Sequence, residues 1–194
     1  MSALAQHHIW TVKEYADYEK HSQMRHEYVK GVVYAMTGGS PTHALIGGNV
    51  YVAFDNQLSD GPCHPYNSDL GISILAESAY TYPDVSVVCG DEDFDPLFPD
   101  RLLNPILVVE VLSRSTEEYD RTTKFNLYKA IPSLQHYLLV RQDRVHVTHH
   151  SRQGDDWPSV EFSALTDEIA LPDLNCTLRL KDIYKRVTWD HPES

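Results

Sequence analysis

The most uniformly hydrophobic stretch of the chain runs from Ile106 to Leu112 and contains one charged residue, Glu110. The other six residues are aliphatic, which is typical of a strand buried on both faces of a sheet. A buried carboxylate that is ionised and has no partner strongly destabilises a fold. The pattern therefore predicts that Glu110 meets a cation, a metal ion or an open cleft.

Helical signals occur at four places along the chain. Two of them are capping boxes, in which a hydroxyl at the N-cap is followed three residues later by a glutamate. A third is a run of apolar residues at helical spacing. Together these signals predict helices from Thr11 to about Lys20, from Thr42 to about Leu58 and from Ser115 to about Ala130, and a short closing helix at Leu180–Tyr184.

The remaining apolar runs have the β-branched composition of strands. A tight hairpin is predicted around Lys30-Gly31, and the acidic segment 91–105 is predicted to be a loop. Further strands are predicted at Asp69–Leu75, Tyr82–Val88, Leu134–Val140 and Arg144–His149. We expect Asp69 to begin a strand of the same sheet as the Ile106–Leu112 strand.

Composition narrows the class of protein. A chain of 194 residues with 42% hydrophobic residues suits a single globular domain spanning residues 1–194. No apolar stretch approaches the roughly 18 residues of a membrane span, and no secretory signal is visible at the N-terminus. Three cysteines, Cys63, Cys89 and Cys176, are odd in number and far apart, which argues against a disulfide framework and a cysteine zinc site. We therefore expect a cytoplasmic protein without a membrane partner.

Charge argues against one class of partner. The formal net charge is −12, whereas phosphate binding usually leaves a basic footprint. Acidic residues that collect a divalent metal also lower the formal charge, and a local basic patch can exist on an acidic protein. The charge counts against nucleic acid without excluding it.

Two carboxylates are expected to meet at one end of the sheet. The strands at Tyr82–Val88 and Ile106–Leu112 are predicted to be sequential antiparallel neighbours, so the start of the first lies beside the end of the second. Asp84 lies near the start of the first strand, and Glu110 lies near the end of the second. Converging oxygen ligands are what Mg²⁺ or Mn²⁺ prefers. A metal ion is thus one candidate partner for Glu110.

The following helix offers a second partner. Asp120, Lys124 and Tyr128 are spaced i, i+4, i+8 and lie on one predicted helix face. Lys124 follows Glu110 on an element that must fold back over the sheet. A metal ion with a lysine is a hydrolytic set, because the metal acidifies a water and the lysine positions the nucleophile or stabilises the developing charge.

Three motifs carry a resemblance to a known family. Y-P-D at Tyr82–Asp84, L-V-V-E-V-L-S at Leu107–Ser113 and D-R-T-T-K-F-N-L-Y at Asp120–Tyr128 resemble the Uma-type restriction endonuclease family of bacterial proteins. That family belongs to the PD-(D/E)XK nuclease superfamily, whose shared core is a helix, three strands, a helix and a strand. The predicted order over residues 42–140 matches this core. The resemblance implies a restriction endonuclease-like α/β fold, a mixed sheet flanked by helices, here with an N-terminal helix and β-hairpin extension.

The resemblance also implies roles for particular residues. Asp84 and Glu110 are implied to bind Mg²⁺ or Mn²⁺ and, with Lys124, to hydrolyse DNA. In the superfamily pattern the lysine lies two residues after the acidic residue, where this chain has Leu112; the resemblance implies that Lys124 takes that role. Glu27 in H-E-Y-V-K-G and His43 in S-P-T-H also resemble positions typical of the family. Accessory candidates are Glu27, His43, Asp69, Asp120 and Tyr128.

Structural explanations compete with the functional ones. Glu110 could form a buried salt bridge with Lys124 or Arg114, and Asp120 with Lys124 could be an ordinary surface pair. Asp69 and Asp84 could be turn aspartates, and His43 a capping or packing residue.

Alternative functions follow from these explanations. The rival functions are a catalytically inactive scaffold protein of this fold and a hydrolase of RNA or small phosphoesters. A basic strip formed by Arg114, Arg121 and Lys129 near the cleft would favour nucleic acid over both. By analogy with enzymes that cut two antiparallel strands, we also expect a homodimer.

Overall fold

The structure is a computed structural model of the full chain and describes residues 2–3, 8–36 and 38–189. The described strands, in chain order, are β1 (Ser2–Ala3), β2 (His26–Val29), β3 (Val32–Ala35), β4 (Cys63–Asn67), β5 (Gly71–Ile74), β6 (Ala79–Thr81), β7 (Val85–Cys89), β8 (Arg101–Leu102), β9 (Leu107–Leu112), β10 (His136–Arg141), β11 (Val147–Ser151), β12 (Ser159–Phe162), β13 (Glu168–Leu171) and β14 (Cys176–Arg179).

Two long helices and several short helical segments flank these strands. The long helices are α1 (Val12–Glu19) and α2 (Pro41–Leu58). The short ones are α3 (Glu117–Tyr119), a π-helical turn at Asp120–Lys124, α4 (Phe125–Tyr128) and α5 (Leu180–Ile183), with 3₁₀ turns at Leu75–Glu77 and Pro172–Leu174. Among the described residues, no helix has the length and apolar character needed to cross a membrane.

The strands form two six-stranded sheets and one hairpin. The N-terminal sheet has the order β1-β3-β2-β6-β5-β8, and the central sheet has the order β12-β11-β10-β9-β7-β4. Strand β9 lies inside the central sheet, parallel to β10 and antiparallel to β7. This mixed sheet flanked by helices confirms the predicted fold class, including the N-terminal helix and the hairpin of β2 and β3.

The burial of β9 on both faces confirms the prediction made from its composition. All six of its residues are buried. Alternate residues, including Val109 and Val111, pack toward α2 and α5, while Val108 and Leu112 pack against α4 and the β10 residue Tyr137. Because strand side chains alternate between faces, Glu110 projects with Val108 and Leu112 toward α4.

Helix α1 begins as predicted, and the third predicted helix does not. Thr11 caps α1 in a reciprocal capping box with Glu14. The predicted box at Ser115 is absent: Ser113 Oγ interacts with the hydroxyls of Ser115 and Thr116, and the helix begins at Glu117 without a side-chain cap. The helix is also not regular, since residues 120–124 form a wider π turn.

Two predictions about sheet membership and cysteines are wrong. Strand β5, which follows Asp69, belongs to the N-terminal sheet and not to the sheet that contains β9. Cys63 and Cys89 form a disulfide, because β4, which the sequence pattern did not reveal, pairs directly with β7 and places the two cysteines opposite each other. The cysteines therefore do not support the cytoplasmic location that was expected from the sequence. Cys176 is free and buried.

Two valines of helix α2, one buried and one exposed, test how this helix packs against the core. Val50 is completely buried and Val52 is 53% exposed on the same helix. We expect Val50→Ala to lower the free energy of unfolding by about 2 to 3 kcal/mol, through lost apolar burial and the cavity left behind. The matched control Val52→Ala should change it by less than about 0.5 kcal/mol, and in the stabilising direction, because alanine favours helix. Chemical denaturation measures both, and equal losses would contradict this packing.

Candidate active site

A cleft of about 1000 Å³ lies between α2, the loops at the ends of the two sheets and the π turn. Six of the eight sequence-predicted site residues line it: Glu27, His43, Asp84, Glu110, Asp120 and Lys124. Tyr128 lies behind the cleft wall, where its hydroxyl contacts Glu110. Asp69 lies on the surface, where it pairs with Arg25.

Asp84 and Glu110 occupy the positions that antiparallel pairing predicts. The register pairs Val85 with Val109 and Ser86 with Val108, so that Asp84 and Glu110 come next on the two strands. Asp84 follows Pro83 at the junction where the chain leaves β6 in the N-terminal sheet and enters β7 in the central sheet. The two carboxylates therefore meet where the two sheets adjoin.

Asp84 is held by a main-chain group and a histidine. The Val111 amide donates a hydrogen bond to Asp84 Oδ2 at 2.6 Å, and His43 Nε2 lies 3.3 Å from the same oxygen. Burial by itself lowers the pKa of His43, but the hydrogen bond and charge of Asp84 outweigh it and raise the pKa. His43 thus orients Asp84 rather than only packing on α2.

Glu110 has a lysine as its partner in this structure. Lys124 Nζ lies 2.9 Å from Glu110 Oε1 and 3.0 Å from Glu27 Oε1, and all three residues are buried. Arg114 is exposed and is not in this cluster. The surface pairing of Asp120 with Lys124 is wrong, because both side chains are buried and Lys124 bonds to Glu110 and Glu27 instead.

The buried charges shift one another's pKa values. Burial raises the pKa of Glu110 well above its usual range; Lys124 opposes this shift, and the neighbouring carboxylates reinforce it. Burial alone would lower the pKa of Lys124, but Glu110 and Glu27 raise it well above its usual range. Burial also raises the pKa of Asp120. Lys124 therefore remains charged and offsets part of the carboxylate charge.

Hydrogen bonds from the N-terminal sheet complete the cluster. The Tyr82 amide donates to Glu27 Oε1 at 3.0 Å, while Glu27 Oε2 is buried without a hydrogen-bond partner. Thr81 Oγ1 donates to the Tyr128 hydroxyl, which in turn donates to Glu110 Oε1 at 3.1 Å. No sequence motif identifies Thr81, because its role depends on the contact between β6 and α4.

Arg25 is a cleft residue that the sequence did not single out. It lines the cleft together with Lys124, and no local motif distinguishes it from other surface arginines. The described lining residues thus carry four carboxylates, those of Glu27, Asp84, Glu110 and Asp120, and two cations. With all four carboxyl groups ionised and His43 neutral, the formal charge of the cleft is +2 − 4 = −2. The raised pKa values of Glu110, Asp120 and His43 favour their protonated forms and make the charge of the empty cleft less negative than this. An anionic substrate would require further positive charge there.

Fold and cleft define a protein of the restriction endonuclease-like class, and the comparisons with known proteins identify the family. A crystal structure from Anabaena variabilis ATCC 29413, described as "a putative nuclease belonging to DUF820", shares the fold with a TM-score of 0.70. The similarity covers 86% of this chain and 93% of that one at 16% identity. Residues 12–181 match the Uma2 family, described as "Putative restriction endonuclease". The chain belongs to this family.

Two relatives from Synechocystis sp. (strain ATCC 27184 / PCC 6803 / Kazusa) extend over most of the chain. The uncharacterized protein slr1290 is 40% identical over 174 residues, which cover 89% of this chain and 90% of that protein. The uncharacterized protein sll1609 is 31% identical over 170 residues, covering 87% and 96% respectively. Their names assign no substrate.

Removing the lysine tests the electrostatics of the cluster. We expect Lys124→Met to lower the free energy of unfolding by about 3 to 5 kcal/mol at neutral pH, because Glu110 and Glu27 remain buried without a cation. When the pKa of a carboxyl group is higher in the folded protein than in the unfolded chain, where it is about 4.3, the free energy of unfolding falls as the pH rises above that value. The deficit should therefore shrink in acid, as Glu110 takes up a proton.

Denaturation of Lys124→Met and the wild type across pH measures this difference. The matched control is Lys181→Met, which removes an exposed lysine of α5 and should leave stability within about 0.5 kcal/mol. A deficit that is independent of pH would contradict the assignment of Lys124 as the counter-ion.

Proposed function

We propose that this protein is a metal-dependent endonuclease that hydrolyses DNA phosphodiester bonds with Mg²⁺ or Mn²⁺. The observation that carries the proposal is the alignment of Asp84 with Glu110 at the junction of the two sheets, with Lys124 on Glu110, in one open cleft. Membership of a family described as "Putative restriction endonuclease" supports a nuclease. The metal and the DNA substrate are part of the proposal.

The donor set of the cleft fits a hard divalent cation. No group of three or more His, Cys, Asp or Glu residues in the described part of the chain is arranged to hold a metal ion. Mg²⁺ does not require one, since it is commonly bound by one or two carboxylates together with waters and substrate phosphates. Asp84 and Glu110 would supply those carboxylates. Glu27 lines the same cleft, and its Oε2 is buried without a hydrogen-bond partner.

The charge of the cleft supports the same assignment. When its four carboxyl groups are ionised, the cleft has a formal charge of −2, which repels a phosphodiester. A bound divalent cation would favour the ionised carboxylates and cancel that charge. The metal would also acidify a water and balance the charge that develops on the phosphate. Because Arg114, Arg121 and Lys129 do not line the cleft, the basic strip considered from the sequence does not contribute there.

Each protein residue then has a role set by its contacts. Lys124 offsets the charge of Glu110 and Glu27. In this proposal it also holds the attacking water or stabilises the developing charge. His43 and the Val111 amide orient Asp84. Tyr128 orients Glu110. Asp120 adds a carboxyl at the cleft wall.

One observation favours a second function, a non-catalytic interaction protein. Lys124 contacts both Glu110 and Glu27, so part of the carboxylate charge is already balanced within the chain. In that case the cluster is structural and no metal is needed. A hydrolase of RNA or small phosphoesters keeps the site and changes only the substrate.

Homodimerisation, cytoplasmic location and a single domain of residues 1–194 stay predictions.

Mn²⁺ binding separates these functions. We expect wild-type protein to bind Mn²⁺ in calorimetry and Asp84→Asn and Glu110→Gln each to weaken binding by about tenfold or more, because each removes one of two anionic ligands. Plasmid nicking in the same buffer should disappear with binding. The matched control is Asp55→Asn on the exposed face of α2, which changes the same charge outside the cleft and should behave as wild type.

The other outcomes are equally informative. A wild type that binds no Mn²⁺ contradicts the metal site and favours the interaction protein. Binding without plasmid nicking, but with cleavage of RNA or of a small phosphodiester, keeps the hydrolytic site and replaces DNA as its substrate.

A further inference from the structure

Arg25 lies at the cleft in a fixed orientation. Its Nη1 donates to the Ser68 carbonyl at 2.7 Å, and its guanidinium carbon lies 5.5 Å from the centre of the Tyr82 ring. Tyr82 is two residues before Asp84, so the arginine is anchored to the segment that carries the proposed metal ligand. A guanidinium held by a main-chain carbonyl and an aromatic face is oriented before any ligand arrives.

The remaining partner of Arg25 is an exposed carboxylate. Nη2 donates to Asp69 Oδ1, and the side chains are 43% and 70% exposed. Pairs of this kind contribute little to stability, because water and salt screen them. The hydrogen bond and charge of Arg25 lower the pKa of Asp69, so Asp69 is an anion in this contact. Asp69 is therefore a weakly held anion on an oriented guanidinium.

Arg25 differs in this respect from the other cation of the cleft. Lys124 is enclosed and contacts two carboxylates, whereas Arg25 is open to solvent. Among the described residues that line the cleft, Arg25 is the one solvent-exposed cation. Its planar fork of donors matches the geometry of a phosphate group, which it can bind with two parallel hydrogen bonds.

We propose that Arg25 binds a phosphate of the nucleic-acid backbone next to the scissile one, and that this phosphate displaces the carboxylate of Asp69. The inference rests on the proposed function and names the residue that fixes the position of the substrate strand. Asp69 is then a competitor for Arg25 and not an accessory metal ligand. Arg25 is a substrate-binding residue, while the chemistry remains with Asp84, Glu110 and Lys124.

Binding of a short fluorescein-labelled DNA duplex, followed by anisotropy in Ca²⁺ at several salt concentrations, tests this assignment. We expect Arg25→Gln to weaken binding about tenfold. It should also reduce the slope of log affinity against log salt by about 0.9, the value for one phosphate contact. Arg25→Lys should keep the slope and bind with intermediate affinity, because lysine retains the charge without the fork. The matched control Arg144→Gln removes an exposed arginine that does not line the cleft and should match wild type.

Asp69→Asn should change the affinity for the duplex in the opposite direction. Freed of its competitor, Arg25 should bind the duplex about two- to fivefold more tightly, with Mn²⁺ affinity unchanged. In the double variant Arg25→Gln/Asp69→Asn this gain should vanish, because the two residues act through one contact.

Several results would overturn the assignment. If Arg25→Gln keeps wild-type affinity and slope, the inference fails and the nuclease proposal stands. Weaker Mn²⁺ binding by Asp69→Asn would restore Asp69 as a metal ligand. Weaker duplex binding by the same variant would contradict the competition between Asp69 and the phosphate. If the wild type binds no duplex at all, both proposals fail. Thermal unfolding of each variant shows whether a loss of duplex affinity comes from misfolding instead. If Arg25→Gln is misfolded, the affinity and salt slope of Arg25→Lys provide the test of the assignment.

Discussion

The buried ion pair between Glu110 and Lys124 is the constraint on which the arrangement of the cleft depends. Glu110 interrupts an aliphatic strand at the centre of the main sheet, where an unpaired carboxylate would be costly. Lys124 balances it from the π turn and contacts Glu27 from the N-terminal sheet as well. One ammonium group thus joins three separate elements, and its loss would leave two carboxylates buried without a counter-ion.

The junction of the two sheets gives this pair its chemical setting. The chain crosses from β6 to β7 through Tyr82-Pro83-Asp84, so Asp84 arrives beside Glu110 while the Tyr82 amide bonds to Glu27. The same crossing places the Tyr82 ring under Arg25. A short segment therefore positions the proposed metal ligand, supports Glu27 and orients the proposed phosphate contact. An acidic protein can offer a nucleic acid one such local site even though its net charge is −12.

Sequence patterns predicted well where the physical cause was local. The capping box of α1 and the burial of β9 followed from short-range spacing, and the pairing of Asp84 with Glu110 followed from the reversal between consecutive strands. Predictions failed where the cause was distant. Asp69 was assigned to the wrong sheet, and the Cys63–Cys89 disulfide was missed because it depends on the pairing of β4 with β7. The π turn was also missed, since helical periodicity alone does not distinguish it from an α-helix.

The sequence by itself determined that Glu110 would be buried and would need a partner, because a charge within an aliphatic strand has no other stable solution. It also determined the family, because the motifs and their spacing can be recognised in the sequence without knowing which residues are in contact. Only the tertiary structure decided that Lys124 serves two glutamates, that Asp69 faces Arg25, and that Thr81 and Tyr128 support Glu110. These contacts join residues from different sheets and helices, and their geometry is fixed by how those layers pack rather than by neighbours along the chain.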